Sequence, residues 1–189
     1  MSGFQDFLVD SDIEYLAGWN REAAELNTVI LEASDWGELK RKIGEKREDA
    51  DILVFRGDKD FNARACEDSR LDILLVGGDS RIAQSTAEAA SQNGVAIAFD
   101  FSELKSDRVE KMKSWKTDIK ILEKHGADYI ITTNAEREED IRAPRDIASL
   151  INELGGEGLK AVKEVPSRLM EEALERKSDR FIGKGVEEM

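Results

Sequence analysis

One cysteine, one histidine and two prolines stand in a chain of 189 residues. A lone cysteine, Cys66, excludes an internal disulfide and any cysteine-rich zinc module. A lone histidine, His125, excludes a metal site with several histidine ligands and leaves a histidine-based triad a single candidate. No apolar run approaches the roughly 18 residues that a membrane span needs. The start, Met1-Ser2-Gly3-Phe4-Gln5-Asp6, has neither a basic flank nor a signal-like apolar stretch. These absences lead to the expectation of a soluble, cytoplasmic protein with no membrane partner. Scarce proline beside 14 glycines favours regular elements joined by short loops. The 40% hydrophobic content suffices for the core of one domain over residues 1–189.

Basic charge is also short. The formal net charge is -13, which counts against a nucleic-acid partner because phosphate contacts need Lys and Arg. The distribution softens this. Residues 1–39 hold nine acids and one base, Arg21, whereas residues 40–47, 101–126 and 160–184 are each net positive. An acidic body with basic patches is compatible with RNA or DNA, and equally with a well-solvated acidic surface.

What is present is a rhythm. Short β-rich runs recur at Phe4–Asp10, Thr28–Ala33, Asp51–Phe55, Leu71–Val76, Val95–Phe101 and Asp128–Thr133. Several are almost wholly apolar, as strands covered on both faces are. The segments between them read as helices: Ser11–Leu26, Asp35–Arg47, Ile82–Asn93 ending at Gly94, and Ser106–His125 ending at Gly126. Starts fall about every 20–25 residues, the spacing of βα units. No GxGxxG follows the first strand and no GxxxxGK[ST] occurs, so an irregular TIM-like barrel is preferred to a nucleotide-binding doubly wound sheet. Beyond Arg142 the pattern changes. A helix spans Arg145–Leu154 with Pro144 in its first turn, Gly155-Gly156-Glu157-Gly158 makes a break, and a helical then extended tail occupies about 159–189 with an interruption at Pro166.

In a parallel α/β fold, function collects at the C-terminal ends of the strands. Those ends carry Asp10, Glu32, Arg56, Asp100 and Thr132-Thr133-Asn134. Three carboxylates could hold a hard cation, but ion pairing with Arg56 is the plainer expectation. Within Ser106–His125, Val109, Met112, Trp115, Ile119 and Leu122 mark the buried stripe, while Lys113, Lys116, Lys120 and Lys124 fall on another flank. That lysine ladder reads as a solvated face before it reads as a phosphate site. His125 at a helix end and Cys66 as a small apolar filler are expected to be structural. Arginines in irregular positions, Arg56, Arg64, Arg142 and Arg145, suit bidentate recognition of phosphate or carboxylate.

The run from Asp51-Ile52-Leu53-Val54-Phe55-Arg56-Gly57-Asp58 through Phe61-Asn62-Ala63-Arg64-Ala65-Cys66-Glu67-Asp68 to Leu71-Asp72-Ile73-Leu74-Leu75 resembles archaeal ribonuclease P protein component 3. That family also includes a subunit of eukaryotic ribonuclease P and its MRP relative. Further matches follow in order at Ala89-Ala90, Asn93-Gly94-Val95-Ala96-Ile97, Arg142-Ala143-Pro144-Arg145-Asp146, Leu150 and Leu154-Gly155. The last is Val165-Pro166-Ser167 through Arg176-Lys177-Ser178-Asp179-Arg180-Phe181 with Gly185-Val186.

The resemblance implies a barrel related to the PHP phosphoesterases but without their metal-binding histidines. It further implies a protein subunit of ribonuclease P, the ribonucleoprotein that removes the 5′ leader of precursor tRNA. Catalytic RNA supplies the chemistry there. The expected partners are ribonuclease P RNA, precursor tRNA and other protein subunits, one of them in a heteromeric pair. No catalytic residue, metal or cofactor is expected in this chain. Candidate RNA contacts are Arg56, Arg64, Arg142, Arg145, Arg176, Lys177 and Arg180. The competing reading is a divalent-metal hydrolase of small molecules or phosphoesters on the same barrel, using Asp10, Glu32 and Asp100. A third is a pure protein-interaction scaffold.

Overall fold

Five of the apolar runs align into one parallel sheet. β3 (Thr28–Leu31), β4 (Ile52–Gly57), β5 (Ile73–Val76), β6 (Ala96–Asp100) and β7 (Tyr129–Thr132) lie side by side in sequence order, after a separate parallel pair, β1 (Phe4–Gln5) and β2 (Trp19–Asn20). The computed structural model describes residues 4–8, 19–57, 60–77, 81–177, 181–183 and 186–187. The helices are α1 (Arg21–Ala24), α2 (Trp36–Lys46), α3 (Asn62–Ala65), α4 (Gln84–Asn93), α5 (Arg108–His125), α6 (Pro144–Leu154) and α7 (Val165–Arg176). Parallel strands in sequence order, with successive helices packed on one face, are the βα arrangement from which such barrels are built. The architecture is α/β of the irregular TIM-like barrel type.

Alternation along each strand builds two cores. Leu53, Phe55, Leu74, Val76, Ile97, Phe99, Tyr129 and Ile131 pack outward with Leu39, Ile43, Ala87, Trp115, Ile119, Leu122 and Ile151. Ile52, Val54, Ile73, Leu75, Ala96, Ala98 and Ile130 pack on the other face with Val165, Leu169, Met170 and Ala173 of α7. The C-terminal helix therefore covers the face that the other helices leave bare. Ala96 and Ala98, small and fully buried, leave room for it on β6.

Local chemistry places most ends. The Asp35 carboxylate accepts from the Glu38 N–H at 2.9 Å and caps α2. α4 and α5 stop at Gly94 and Gly126, whose φ of 69° and 65° suits glycine. Pro144 occupies the first turn of α6. Pro166 does not break its segment. A π-helical turn over Lys160–Glu164 precedes it, and the wider turn accommodates the missing N–H at the start of α7.

Three further expectations need correction. The first strand covers only Phe4–Gln5, with residues 9–18 outside those described. Within the expected Ser11–Leu26 helix, Trp19–Asn20 is extended and pairs with β1, and the Trp19 indole anchors the segment by donating to the Arg142 carbonyl at 2.8 Å. Val109 is not in the buried stripe of α5; it is 65% exposed. The buried face starts at Trp115 and takes in Asp118, which accepts hydrogen bonds from Arg81 (3.1 Å), the Ile82 N–H (3.3 Å) and Ser114 (3.3 Å). β8 (Phe181–Gly183) and β9 (Val186–Glu187) form an antiparallel pair. Among the described residues, no helix is long and apolar enough to cross a membrane.

Candidate nucleic-acid interface

The C-terminal ends of β6 and β7 are held by side chains rather than left as free loops. Asp100, ending β6, accepts from the Ser102 N–H at 2.8 Å and from the Asn134 amide at 2.8 Å, which locks the β6 and β7 loops together. Asp6, just after β1, accepts from the Thr132 hydroxyl (2.6 Å), the Thr133 N–H (2.7 Å), the Thr133 hydroxyl (2.6 Å) and the Leu8 N–H (3.2 Å). Burial raises the Asp6 carboxyl above the usual range, and these four donors only partly offset it. Together with the Trp19–Arg142 bond, they tie the β1–β2 pair to the β7 end of the sheet.

The mouth arginines differ in how far their charge is used. Arg56 lies 3.8 Å from the exposed Glu32, a loose pair. Arg64 is exposed and sits over the Trp36 ring at 5.3 Å. Arg142 donates to the carbonyls of Glu139 and Ile141, both at 2.9 Å. The Glu139 carboxylate instead meets Arg137 at 3.1 Å. Arg145 is exposed on the first turn of α6. Among the described residues, neither Arg142 nor Arg145 has a carboxylate partner. Lys105, by contrast, pairs with Asp140 and holds that carboxyl below its usual range.

The C-terminal candidates lie elsewhere. Arg176 bonds Asp72 at 3.1 Å and the Asp51 carbonyl at 2.7 Å, and Lys177 pairs with Asp51 at 2.8 Å. Arg47 reaches Asp72 at 2.5 Å, and Arg168 and Lys160 meet Asp128 at 2.8 and 3.1 Å. Asp51, Asp72 and Asp128 precede β4, β5 and β7, so Arg168, Arg176 and Lys177 clamp α7 to the N-terminal ends of the strands, as Lys160 does the turn before it and Arg47 the end of α2. The six described candidates thus form no single surface: Arg56, Arg64, Arg142 and Arg145 belong to one end of the sheet, Arg176 and Lys177 to the other. Arg180 lies outside the described residues.

The metal arrangement is not assembled among the described residues. Asp10 is not among them, Glu32 faces Arg56, and Asp100 is committed to Ser102 and Asn134. No group of three or more His, Cys, Asp or Glu is placed there to hold an ion. Cys66 is fully buried, which pushes its thiol up to about 12. His125 is half-buried, 3.4 Å from Glu88. Lys113, Lys116, Lys120 and Lys124 are exposed, and Lys113 pairs with Glu110 at 2.7 Å.

Two features escaped the reading of the sequence. Asp6 became a buried acceptor, which only its partners 126 and 127 residues away define. The aspartates at strand starts did carry a signal: an acid immediately before an apolar run recurs at Asp51-Ile52, Asp72-Ile73 and Asp128-Tyr129.

Residues 15–180 match the family described as RNase P subunit p30. The Ribonuclease P protein component 3 of Methanococcoides burtonii is 31% identical over 171 residues, covering 85% of this chain and 70% of that protein. The one from Methanococcus maripaludis is 26% identical and covers 97% of this chain and 83% of that protein. Among solved structures, a chain of the cryo-EM structure of archaeal Ribonuclease P with mature tRNA superposes with a TM-score of 0.78 at 23% identity, covering 87% of this chain and 75% of that one.

Proposed function

The chain belongs to the RNase P subunit p30 family, and from that premise we propose that it works as a non-catalytic protein subunit of ribonuclease P in the cytoplasm. There it supports RNA-catalysed removal of the 5′ leader from precursor tRNA. Its partners are ribonuclease P RNA, precursor tRNA and other protein subunits of the particle, one of them in a heteromeric pair. The observation that carries the reading is the match over residues 15–180, nearly the whole chain.

The arginines at the strand mouth supply the RNA contacts in this reading. Arg142 and Arg145 support it best, because no described carboxylate neutralises them, and Arg56 and Arg64 flank the same end of the sheet. Guanidinium forks recognise phosphate oxygens in pairs. Arg176 and Lys177 are already engaged with Asp72 and Asp51, so they serve the fold before they serve RNA.

Reconstitution tests the reading. Precursor-tRNA cleavage by the catalytic RNA with the other subunits should rise on adding this protein, and the isolated protein should cleave nothing. No change on addition, or cleavage by the protein with catalytic RNA rigorously excluded, overturns it.

A further inference from the structure

Between the loops that follow β6 and β7 lies a cavity of about 310 Å³ with an apolar floor and a charged rim. Phe101, Leu104, Met112 and Leu150 make the floor, and Lys105, Arg108, Asp140 and Arg142 the rim. Its shape is fixed in advance. The Asp100–Asn134 bond sets the spacing of the two loops, and Trp19 holds the Arg142 carbonyl. The rim charges are not equivalent. Lys105 and Asp140 neutralise one another, with Arg137 a further 3.6 Å from Asp140. Among the described residues, the Arg108 guanidinium touches only the Leu104 carbonyl at 3.5 Å, and that of Arg142 only the two carbonyls already named. Carbonyl contacts orient a guanidinium without neutralising it, so two cations overlook an apolar floor.

That combination narrows the ligand. A purely apolar group would bring the two cations no anion. Inorganic phosphate would satisfy the cations and leave Phe101, Met112 and Leu150 uncovered. A flat apolar body carrying an anion at its edge satisfies both. We propose that this cavity receives one unpaired nucleotide of RNA, its base against Phe101, Met112 and Leu150 and its phosphate between Arg108 and Arg142. Unstacked bases laid on aromatic side chains, with guanidinium groups at the backbone, are a general means of reading single-stranded RNA. The inference rests on the ribonuclease P reading and deepens it, adding Arg108 and a floor that charge alone did not reveal. An acidic, aromatic peptide has related chemistry. RNA is favoured because both cations are guanidinium forks suited to phosphate oxygens and the cavity opens at the same strand ends as Arg145.

The test uses the reconstituted particle. A benzophenone side chain placed at Val109, exposed and one turn before Met112 on α5, is irradiated and its crosslinks are mapped. The expected result is crosslinking to one or two adjacent nucleotides of the RNA. Arg108→Ala should lower the yield about tenfold, and Leu150→Trp, which fills the cavity, should abolish it. Thermal melting of each variant guards against misfolding, and a second filling variant, Met112→Phe, replaces any that fails to fold. Crosslinks to another protein subunit, or none from a particle that assembles and cleaves, overturn the nucleotide site while leaving the subunit reading intact. A wild-type protein that neither joins the particle nor stimulates cleavage overturns both.

Discussion

Asp6 and Thr133, 127 residues apart, meet through one carboxylate oxygen that accepts both the Thr133 N–H at 2.7 Å and its hydroxyl at 2.6 Å. The other oxygen takes the Thr132 hydroxyl, and Asp6, Thr132 and Thr133 are all buried. Truncation of Asp6 leaves three buried donors without a partner. Asp6→Ala should therefore destabilise the fold by roughly 2–4 kcal/mol. Asp6→Asn keeps one acceptor oxygen and should cost less. Urea denaturation of both variants gives the comparison; equal, negligible losses would mean that the N-terminal strand adds nothing to the stability of the sheet.

The same carboxyl gives a pH signature. Burial raises its folded-state pKa above the ordinary value of 3.8. A group with a raised folded pKa contributes stability that is fully present below its unfolded pKa and is lost as pH rises through the folded one. Wild-type stability relative to Asp6→Asn, which cannot titrate, should thus decline as pH rises from below 3.8 toward neutrality. Taking the difference cancels the other carboxylates common to both proteins. A difference that is flat, or that grows with pH, would show that the hydrogen bonds outweigh desolvation.

Arginines at the two ends of the sheet should respond differently to charge removal. Arg176→Met takes one of two guanidiniums from the buried Asp72 and should lower stability by about 1–2 kcal/mol, with Arg47 limiting the damage. Lys177 is 56% exposed, so Lys177→Met should cost well under that. Arg142→Met and Arg145→Met should leave the melting temperature nearly unchanged. They should flatten the salt dependence of assembly by about one unit of slope per lost phosphate contact. Melting curves and salt titrations together separate the two classes. Loss of slope at Arg176 with no loss of stability would reverse the assignment.

The βα rhythm was legible because strands covered on both faces write themselves as apolar runs such as Ile73–Val76, and because the helix stops are chemical, as at Gly94 and Gly126. The N-terminal segment was not legible. Trp19–Asn20 is extended beside β1, with its indole N–H given to a carbonyl 123 residues later, and no local pattern encodes such partners. At the candidate interface, the sequence marked Arg142 and Arg145 as arginines in irregular positions but could not separate them from Arg176. That distinction depends on Asp51 and Asp72 standing at strand starts and on α7 crossing the inner face above them. Arg108 was missed because it opens an ordinary charged helix, and only the cavity beside it gives it a neighbour.

Two glycines make opposite predictions from the same substitution. Gly44 is exposed inside α2, and a Cβ there would meet only the Arg70 guanidinium at 3.9 Å. Gly44→Ala should stabilise by about 0.5–1 kcal/mol, the entropy that glycine costs within a helix. Gly158 is buried, and its N–H donates to the Asn152 side chain at 2.8 Å. A Cβ at Gly158 would run into the Ala148 carbonyl oxygen and lie 2.6 Å from its carbon and 2.8 Å from the Ala148 Cα. These are backbone atoms of α6, whose Ile147 and Ile151 are anchored in the core, so no side-chain rotation relieves the contact. Gly158→Ala should cost roughly 3 kcal/mol or more. Because α6 also carries Leu150 of the cavity floor, the damage should extend to crosslinking from Val109. Calorimetry on the two variants, run alongside wild type, gives the sign of each effect. A Gly158→Ala protein as stable as wild type would mean that α6 can slide away from the glycine break, and with it that the cavity between the β6 and β7 loops is not held rigid.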